Sequence, residues 1–286
     1  MNKQCKKLCI LLVLAAMLSA GGCGDKGDPI PTPPVLDTDA IESIDVAVNT
    51  NDTAIISINN SNVSDLKGEP TKTEDGYSQI GDWVYQVVDS GKNVIVRKYL
   101  GTDTVISVPE KVEGVPVKEI ESNFLSEDSP VISVKIPEGV TTVEDGAFKD
   151  CKNLVIVVFP KSLVSIGKSA FEGCTSMEEV VLSGSPALDF VGDKAFYGCT
   201  GLTRITFYNR PLEENSKPMR NIGLYCFGDC PNLEEVFLPR EVSTIGKVIV
   251  GTSDAKNDGG ITTFYVGEGS NAEKYMQDNN LLYEVY

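Results

Sequence analysis

Cysteine is the residue type whose spacing in this chain first suggests chemistry. Four cysteines recur at similar intervals, each three residues after a phenylalanine: Cys151, Cys174, Cys199 and Cys230. The chain has 0 histidines, which excludes a Cys–His catalytic pair and histidine-ligated zinc. Cys226 is close in sequence to Cys230, but their spacing matches no zinc motif. We therefore predict a ladder of buried free thiols acting as small apolar side chains, rather than disulfides or a metal site, and no cofactor.

Paired carboxylates are the other chemical possibility. Glu178–Glu179 and Glu234–Glu235 could be the acid and the nucleophile of a glycosidase. Neighbouring residues of a strand point to opposite faces, so neither pair is expected to converge on a substrate. We predict no catalytic residues and a protein that is not an enzyme. The formal net charge of −16 also disfavours nucleic acid, whose phosphates require Lys and Arg.

The cysteines belong to a longer repeat. The phenylalanines that precede them recur at steps of 23, 25 and 31 residues: Phe148, Phe171, Phe196 and Phe227. Such a period is typical of stacked-repeat proteins, in which each unit is too small to bury its own apolar face. Within each unit, apolar positions two residues apart predict a first short strand, and a second strand follows at Val164–Ile166 and at Ser243–Ile245.

A wider motif surrounds this repeat. Val134–Val143, with the sequence VKIPEGVTTV, is followed by Ala147-Phe148-x-x-Cys151-x-x-Leu154. From about Trp83 to Tyr286 this pattern resembles the BspA-like leucine-rich-repeat family of bacterial surface proteins. The resemblance implies a right-handed solenoid, a role in adhesion or extracellular binding, and no catalytic residues. The chain departs from the pattern at Cys226, which replaces Ala, and at Val250, which replaces Phe.

The predicted fold is a solenoid over residues 77–286, mainly β with short helical or 3₁₀ turns. A β-hairpin of Trp83–Val88 and Asn93–Tyr99 should form its N-terminal cap, with Trp83 plugging the core. In the first, irregular coil, Leu125 is expected to hold the position of the later phenylalanines. The capping box Ser270-x-x-Glu273 predicts a short helix that covers the other end.

The N-terminal residues have the composition of a bacterial export signal. Three lysines precede an apolar run of about 11 residues, too short to span a bilayer core of ~30 Å as a helix. We assign residues 1–22 to a lipoprotein signal peptide and Cys23 to lipid attachment at the outer face of a bacterial membrane, with simple secretion as the alternative. Residues 23–76 are predicted to be a flexible tether, in which residues 44–58 could form a weak hairpin.

Binding is expected on the outward face of the first strands. The outward residues should align from coil to coil, in the order Val158, Val181, Thr206, Phe237 and Tyr265. Val158, Val181 and Phe237 would then form an exposed apolar stripe with an acidic rim, a common mark of a partner site. High β-propensity alone also explains such residues in strands.

Insertions explain the two steps that are longer than 23 residues. Both insertions fall between the first and second strands, so they should emerge along the same edge. Loops on a rigid scaffold often carry function, although neutral variation in an exposed turn explains them equally well. The candidate binding residues in these loops are Ser183, Asp189, Tyr208, Arg210, Glu213 and Glu214.

The predicted partner is an extracellular protein, from a host or from a bacterial surface. The alternative is a glycan or the cell wall, for which exposed aromatic rings should lie flat on one face. The candidates for such rings are Tyr197, Tyr208, Phe237 and Tyr265. The predicted contact with the membrane is through the lipid anchor only.

Overall fold

The computed structural model describes residues 64–182, 185–207, 219–240, 242–247, 249–251 and 262–286, and two short strands before them. These two strands, β1 (Ala47–Val48) and β2 (Ala54–Ile55), pair in an antiparallel register. This pairing lies within residues 44–58, where the sequence suggests a weak hairpin. The predicted signal peptide and Cys23 lie outside the described residues.

The N-terminal end of the solenoid is built from short antiparallel strands. The first strands of the solenoid are β3 (Asp65–Leu66), β4 (Thr71–Lys72), β5 (Ser78–Ile80), β6 (Trp83–Val88) and β7 (Asn93–Tyr99). Strands β4 to β7 pair in sequence order, and β6 with β7 is the predicted hairpin cap. The Trp83 ring lies against Tyr99 and Phe124, at centroid separations of 4.7 and 6.2 Å, so it closes the core as predicted.

The following coils contribute strands to two sheets. These strands are β8 (Val105–Ser107), β9 (Lys111–Val112), β10 (Val115–Ile120), β11 (Ser133–Lys135), β12 (Thr142–Val143), β13 (Ile156–Val158), β14 (Ser165–Ile166), β15 (Glu179–Leu182), β16 (Phe190–Val191), β17 (Arg204–Phe207), β18 (Met219–Ile222), β19 (Glu235–Phe237), β20 (Val242–Ile245), β21 (Thr263–Val266) and β22 (Tyr283–Val285). Their alternation confirms a mainly β solenoid with two strands in each coil.

We call the two sheets front and back. The back sheet runs without interruption from β4 through β7, then β10, β12, β14, β16 and β18 to β20. The front sheet has two parallel segments, β8–β11–β13 and β15–β17–β19–β21–β22. No strand pairing joins β13 to β15 within the described residues, although the two strands pack against each other.

The structure corrects the predicted boundary of the tether at residues 64–76. Strand β3 runs parallel to β9, and the Asp65 carboxylate accepts a hydrogen bond from the Gly114 amide at 2.8 Å. On the same side, Glu113 accepts one from the Gly68 amide at 2.9 Å. These contacts span more than 40 residues of sequence, so local composition did not reveal them. The structure therefore places residues 64–76 with the solenoid instead of the tether.

A column of phenylalanine rings fills the core. Phe148, Phe171 and Phe196 stack nearly parallel, with centroid separations of 5.0 and 5.3 Å, and Phe227 continues the column at 6.3 Å. All four side chains are fully buried. Burial of one such side chain contributes about 1.5–3 kcal/mol, so the column is a major source of stability for the coils.

The first coil enters this column with a different residue from the one predicted. The Leu125 amide donates to the Ala147 carbonyl, as each later Phe amide does to the next coil, so its backbone holds the predicted position. The ring that contacts Phe148, however, belongs to Phe124, at 5.4 Å and edge-on. Both residues are buried, and the coil supplies its aromatic ring from the position that Ala occupies later.

The C-terminal end is covered by the predicted helix, α1 (Asn271–Asp278). The Ser270 hydroxyl accepts a hydrogen bond from the Glu273 amide at 3.1 Å, and the Glu273 carboxylate accepts one from the Gly269 amide at 2.6 Å. Ala272 and Met276 are fully buried against the last coils. The capping box therefore fixes the start of a helix that seals the apolar core.

A column of glycines, which the repeat analysis did not identify, lets the coils approach closely. It consists of Gly167, Gly192, Gly223 and Gly246, each directly after the last inward residue of a back-sheet strand. A Cβ atom on Gly192 would lie 2.5 Å from the backbone nitrogen of Lys168 in the preceding coil, and the other three positions are equally tight. Backbone atoms cannot move aside as a flexible side chain can, so any larger residue forces neighbouring coils apart.

We predict that Gly192→Ala lowers the free energy of unfolding by about 1–3 kcal/mol, because overpacking must be relieved by a backbone shift. Urea denaturation followed by circular dichroism measures the change. Lys168→Ala is the matched control, since it removes an exposed side chain but leaves the clashing nitrogen in place, and it should stay within about 0.5 kcal/mol of wild type. Equal stability of the Gly192→Ala variant and wild type would contradict the predicted role of this column.

Candidate functional site

The outward side of the front sheet, here called the front face, contains the predicted row of candidate residues. Val181, Thr206, Phe237 and Tyr265 occupy equivalent positions on four neighbouring parallel strands. Val158 belongs to the other segment of the sheet, where it is aligned with Lys135. The strand register therefore brings the row together as predicted, with one interruption between β13 and β15.

The predicted exposure of this row is wrong for three residues. Thr206, Phe237 and Tyr265 keep only 2, 5 and 9 % of their surface exposed, whereas Val158 and Val181 are half-buried. For the two aromatic residues the physical reason is the strand spacing of about 4.8 Å, which matches the contact distance of aromatic rings. The Phe237 and Tyr265 rings stack at 4.2 Å with an angle of 6° between their planes, so each covers the other.

A charged row lies beside the first one, two residues earlier on the same strands. Arg204 lies between Glu179 and Glu235, each on an adjacent strand. Its Nε donates to the Glu235 carboxylate at 2.6 Å, its Nη2 also contacts that carboxylate, and its Nη1 lies 3.7 Å from Glu179. The Tyr265 hydroxyl donates to the other oxygen of Glu235 at 3.4 Å. The front face thus has a fixed network of charges next to its apolar row.

The two carboxylates of this network compete for one guanidinium. Burial raises the pKa of Glu179, an effect that the nearby Arg204 opposes and the second carboxylate, Glu235, reinforces. Burial also raises the pKa of Tyr265, and Glu235 and Glu284 add to the shift. The sequence analysis considered Glu178–Glu179 and Glu234–Glu235 only as adjacent pairs. Aligning the repeats two positions before the outward row would have placed Glu179, Arg204 and Glu235 together.

The edge loops are only partly described. Ser183, Tyr208, Arg210, Glu213 and Glu214 lie outside the described residues, whereas Asp189 lies within them. The Asp189 carboxylate accepts hydrogen bonds from Arg220, from Nε at 2.5 Å and from the backbone amide at 2.9 Å. Phe190 and Asn221 are direct partners in the back sheet. The returning ends of both insertions are therefore neighbours on one edge, as predicted.

The cysteines form the predicted ladder, which is buried except at Cys230, a half-buried residue. All five cysteines among the described residues are free. The Cys174 thiol donates to the Phe148 carbonyl at 3.1 Å, and Cys199 and Cys230 make the equivalent bond to the Phe carbonyl of the coil before them. Burial raises the pKa of Cys151 to about 12 and that of Cys174 well above its usual value. Such thiols remain protonated, so the ladder is structural rather than chemical.

Two further observations limit the kinds of site in the described part of the chain. No cluster of three or more His, Cys, Asp or Glu side chains there has the arrangement needed to hold a metal ion. Within the same residues, none of the helices has the length and hydropathy needed to cross a membrane.

We predict that Arg204→Met lowers the free energy of unfolding by about 1–2 kcal/mol at pH ~7, because it leaves two half-buried carboxylates without their cation. Arg204 opposes the rise that burial causes in the pKa of Glu179, so loss of the cation raises the pKa of Glu179 further in the folded state. The unpaired Glu179 carboxylate destabilises the folded state while it is ionised and no longer does so once it is protonated, so the deficit should shrink towards pH ~4. Urea denaturation at several pH values measures this. Arg220→Met is the control, because the Arg220 side chain is 73 % exposed, and it should cost less than about 0.5 kcal/mol. A deficit that does not depend on pH would contradict the role of Arg204.

Comparison with models of repeat families agrees with this architecture. Residues 118–250 match the model of the BspA type leucine rich repeat region in 6 copies, and no curated protein sequence matches the chain significantly.

Among solved structures, the chain is similar to the leucine rich repeat protein of T. pallidum, with 19 % identity, a TM-score of 0.48, and coverage of 71 % of this chain and 95 % of that one. It is also similar to the pneumococcal vaccine antigen PcpA, with 19 % identity, a TM-score of 0.48, and coverage of 71 and 47 %. A leucine rich cell surface protein from Faecalibacterium prausnitzii has 17 % identity and a TM-score of 0.48, with coverage of 70 and 55 %. The coils between residues 118 and 250 of this chain are BspA-type leucine-rich repeats.

Proposed function

We propose that this protein is a non-catalytic binding module that engages an extracellular protein through its front face. The observation that carries the proposal is the pair Val158 and Val181, which are only half-buried and lie on neighbouring strands at the centre of that face. The row continues to Lys135 on one side and to Thr206 on the other. The charged network of Arg204 lies beside it, two residues earlier on the same strands. An apolar centre bordered by charged groups is the usual anatomy of a protein–protein interface.

The rigidity of this face also favours binding. Parallel strand pairing orders each segment of the front sheet, on one side only for the edge strands β13 and β15, and Arg204 is fixed by carboxylates from two coils. A surface that is already ordered loses little conformational entropy when a partner docks. The BspA-type repeats and the cell-surface protein among the structural neighbours are consistent with this role.

We further propose that the module is displayed at the outer face of a bacterial membrane by lipidation of Cys23, with the residues that follow acting as a tether. The proposal rests on the export-signal composition of residues 1–22 and on the small residues that precede Cys23. Comparison of detergent partitioning between wild type and Cys23→Ser tests it. Wild type should enter the detergent phase and the variant should not, and equal partitioning of the two proteins excludes the anchor.

Sugar binding at the predicted aromatic platforms has less support. The stacked rings of Phe237 and Tyr265 offer almost no free surface. The Tyr197 hydroxyl donates to Asp229, and the Lys194 ammonium lies 4.9 Å from the centre of the Tyr197 ring. A pyranose needs an open ring face, and none of these three aromatic residues provides one.

We predict that the double variant Val158→Glu/Val181→Glu loses at least about tenfold in affinity, because it places two charges in the apolar centre of the interface. Binding of the full-length chain to immobilised host matrix proteins and bacterial surface proteins, measured by biolayer interferometry, tests this. The matched control is Thr175→Glu/Thr200→Glu, which adds the same charge at exposed, equivalent positions of two neighbouring coils away from the front face. Undiminished binding by the first variant, or equal losses in both, would contradict the proposed site.

A further inference from the structure

Phe190 is the most exposed aromatic residue among those that the structure describes. It retains 38 % of its surface, although it belongs to a strand in the middle of the back sheet. The equivalent positions in the neighbouring coils are polar, Ser165 on one side and Asn221 on the other. Two residues further along the chain is Gly192, which has no side chain. The ring of Phe190 therefore has no large neighbour at these positions.

Residues with polar side chains adjoin Phe190 along the chain and across the strand register. The Asn221 side chain is half-buried and makes no hydrogen bond within the described part of the chain. The adjacent residues Asp189 and Arg220 form an ion pair whose carboxylate is held from two directions. The Arg220 side chain is 73 % exposed, so its remaining donors face solvent. The residues next to Phe190 in sequence and in strand register thus carry amide, carboxylate and guanidinium groups.

This combination distinguishes a sugar subsite from a protein interface. Protein interfaces need an extended apolar centre, whereas here one exposed ring lies between paired positions that carry a hydroxyl and an amide, with an ion pair in the adjoining residues. A pyranose has one face of C–H groups that suits the ring and a rim of hydroxyls that suits paired donors and acceptors. Because Asp189 and Arg220 neutralise each other and the chain carries a net charge of −16, a neutral sugar is favoured over an acidic one.

We propose that Phe190, Asp189, Arg220 and Asn221 form a binding subsite for a neutral pyranose glycan. The subsite lies on the back sheet, at the edge where the two longer coils return, and is separate from the front face. It extends the proposed function, because a surface-displayed module would then recognise glycan on one sheet and protein on the other.

Binding of the full-length chain to cellohexaose, mannohexaose and galactohexaose, measured by isothermal titration calorimetry, tests this proposal. Hexagalacturonate serves as the acidic counterpart of the galactose oligomer. We expect at least one neutral oligosaccharide to bind and the acidic one to bind more weakly. Phe190→Ala and Phe190→Leu should each weaken binding about tenfold, and Phe190→Trp should retain it, because the loss follows the ring rather than apolar volume.

Two controls separate this subsite from general effects. Leu282→Ala removes another exposed apolar side chain, 59 % exposed, and should leave glycan affinity unchanged. Val158→Glu/Val181→Glu should also leave it unchanged, so failure of the front-face proposal is distinguishable from failure of this one. The proposal is overturned if none of the neutral oligosaccharides binds, if hexagalacturonate binds best, or if Phe190→Leu binds as well as wild type. Unchanged thermal unfolding of the Phe190 variants establishes that they are folded.

Discussion

Hydrogen bonding between parallel strands sets a repeat of about 4.8 Å from coil to coil, and the rest of the solenoid has to fit this spacing. The core rings stack at 5.0 and 5.3 Å, close to that repeat, so flat phenylalanines can follow one another without a gap. The cysteine thiols span the same interval to reach a carbonyl of the preceding coil. Where the backbones approach more closely still, as at Gly192, no side chain fits. The same distance between coils thus favours aromatic rings, thiols and glycines at the three kinds of stacked position.

The same spacing governs what the outer surface can offer. Side chains that face outward at equivalent positions are brought into contact whether or not a partner is present. Large ones such as Phe237 and Tyr265 therefore satisfy each other, while the opposite charges of Arg204 and Glu235 pair. The residues that remain exposed to a partner are those whose neighbours are too small or too polar to cover them. Val181, beside the short side chain of Thr206, and Phe190, between Ser165 and Asn221, are of this kind.

Sequence reasoning succeeded where the repeat itself carries the information. The Phe and Cys columns, the hairpin cap and the Ser270 capping box all follow from local patterns at fixed spacing. It failed where the outcome depends on a neighbouring coil. The burial of Phe237 depends on Tyr265, 28 residues later, and the ordering of residues 64–76 depends on strand β9. The ring of Phe124 reached the core from an unexpected position because an irregular first coil can satisfy the aromatic column from either of two adjacent residues.

The interruption between β13 and β15 has a mechanical consequence. The back sheet crosses this level without a break, while the front sheet is divided there. Neighbouring coils at this level are therefore joined by strand pairing along the back sheet only, which can act as a hinge. Bending that opens the front would disrupt fewer backbone hydrogen bonds here than at any level where both sheets are continuous. Val158 and Val181 lie on either side of that line, so a ligand that spans them would also hold the two segments at a fixed angle.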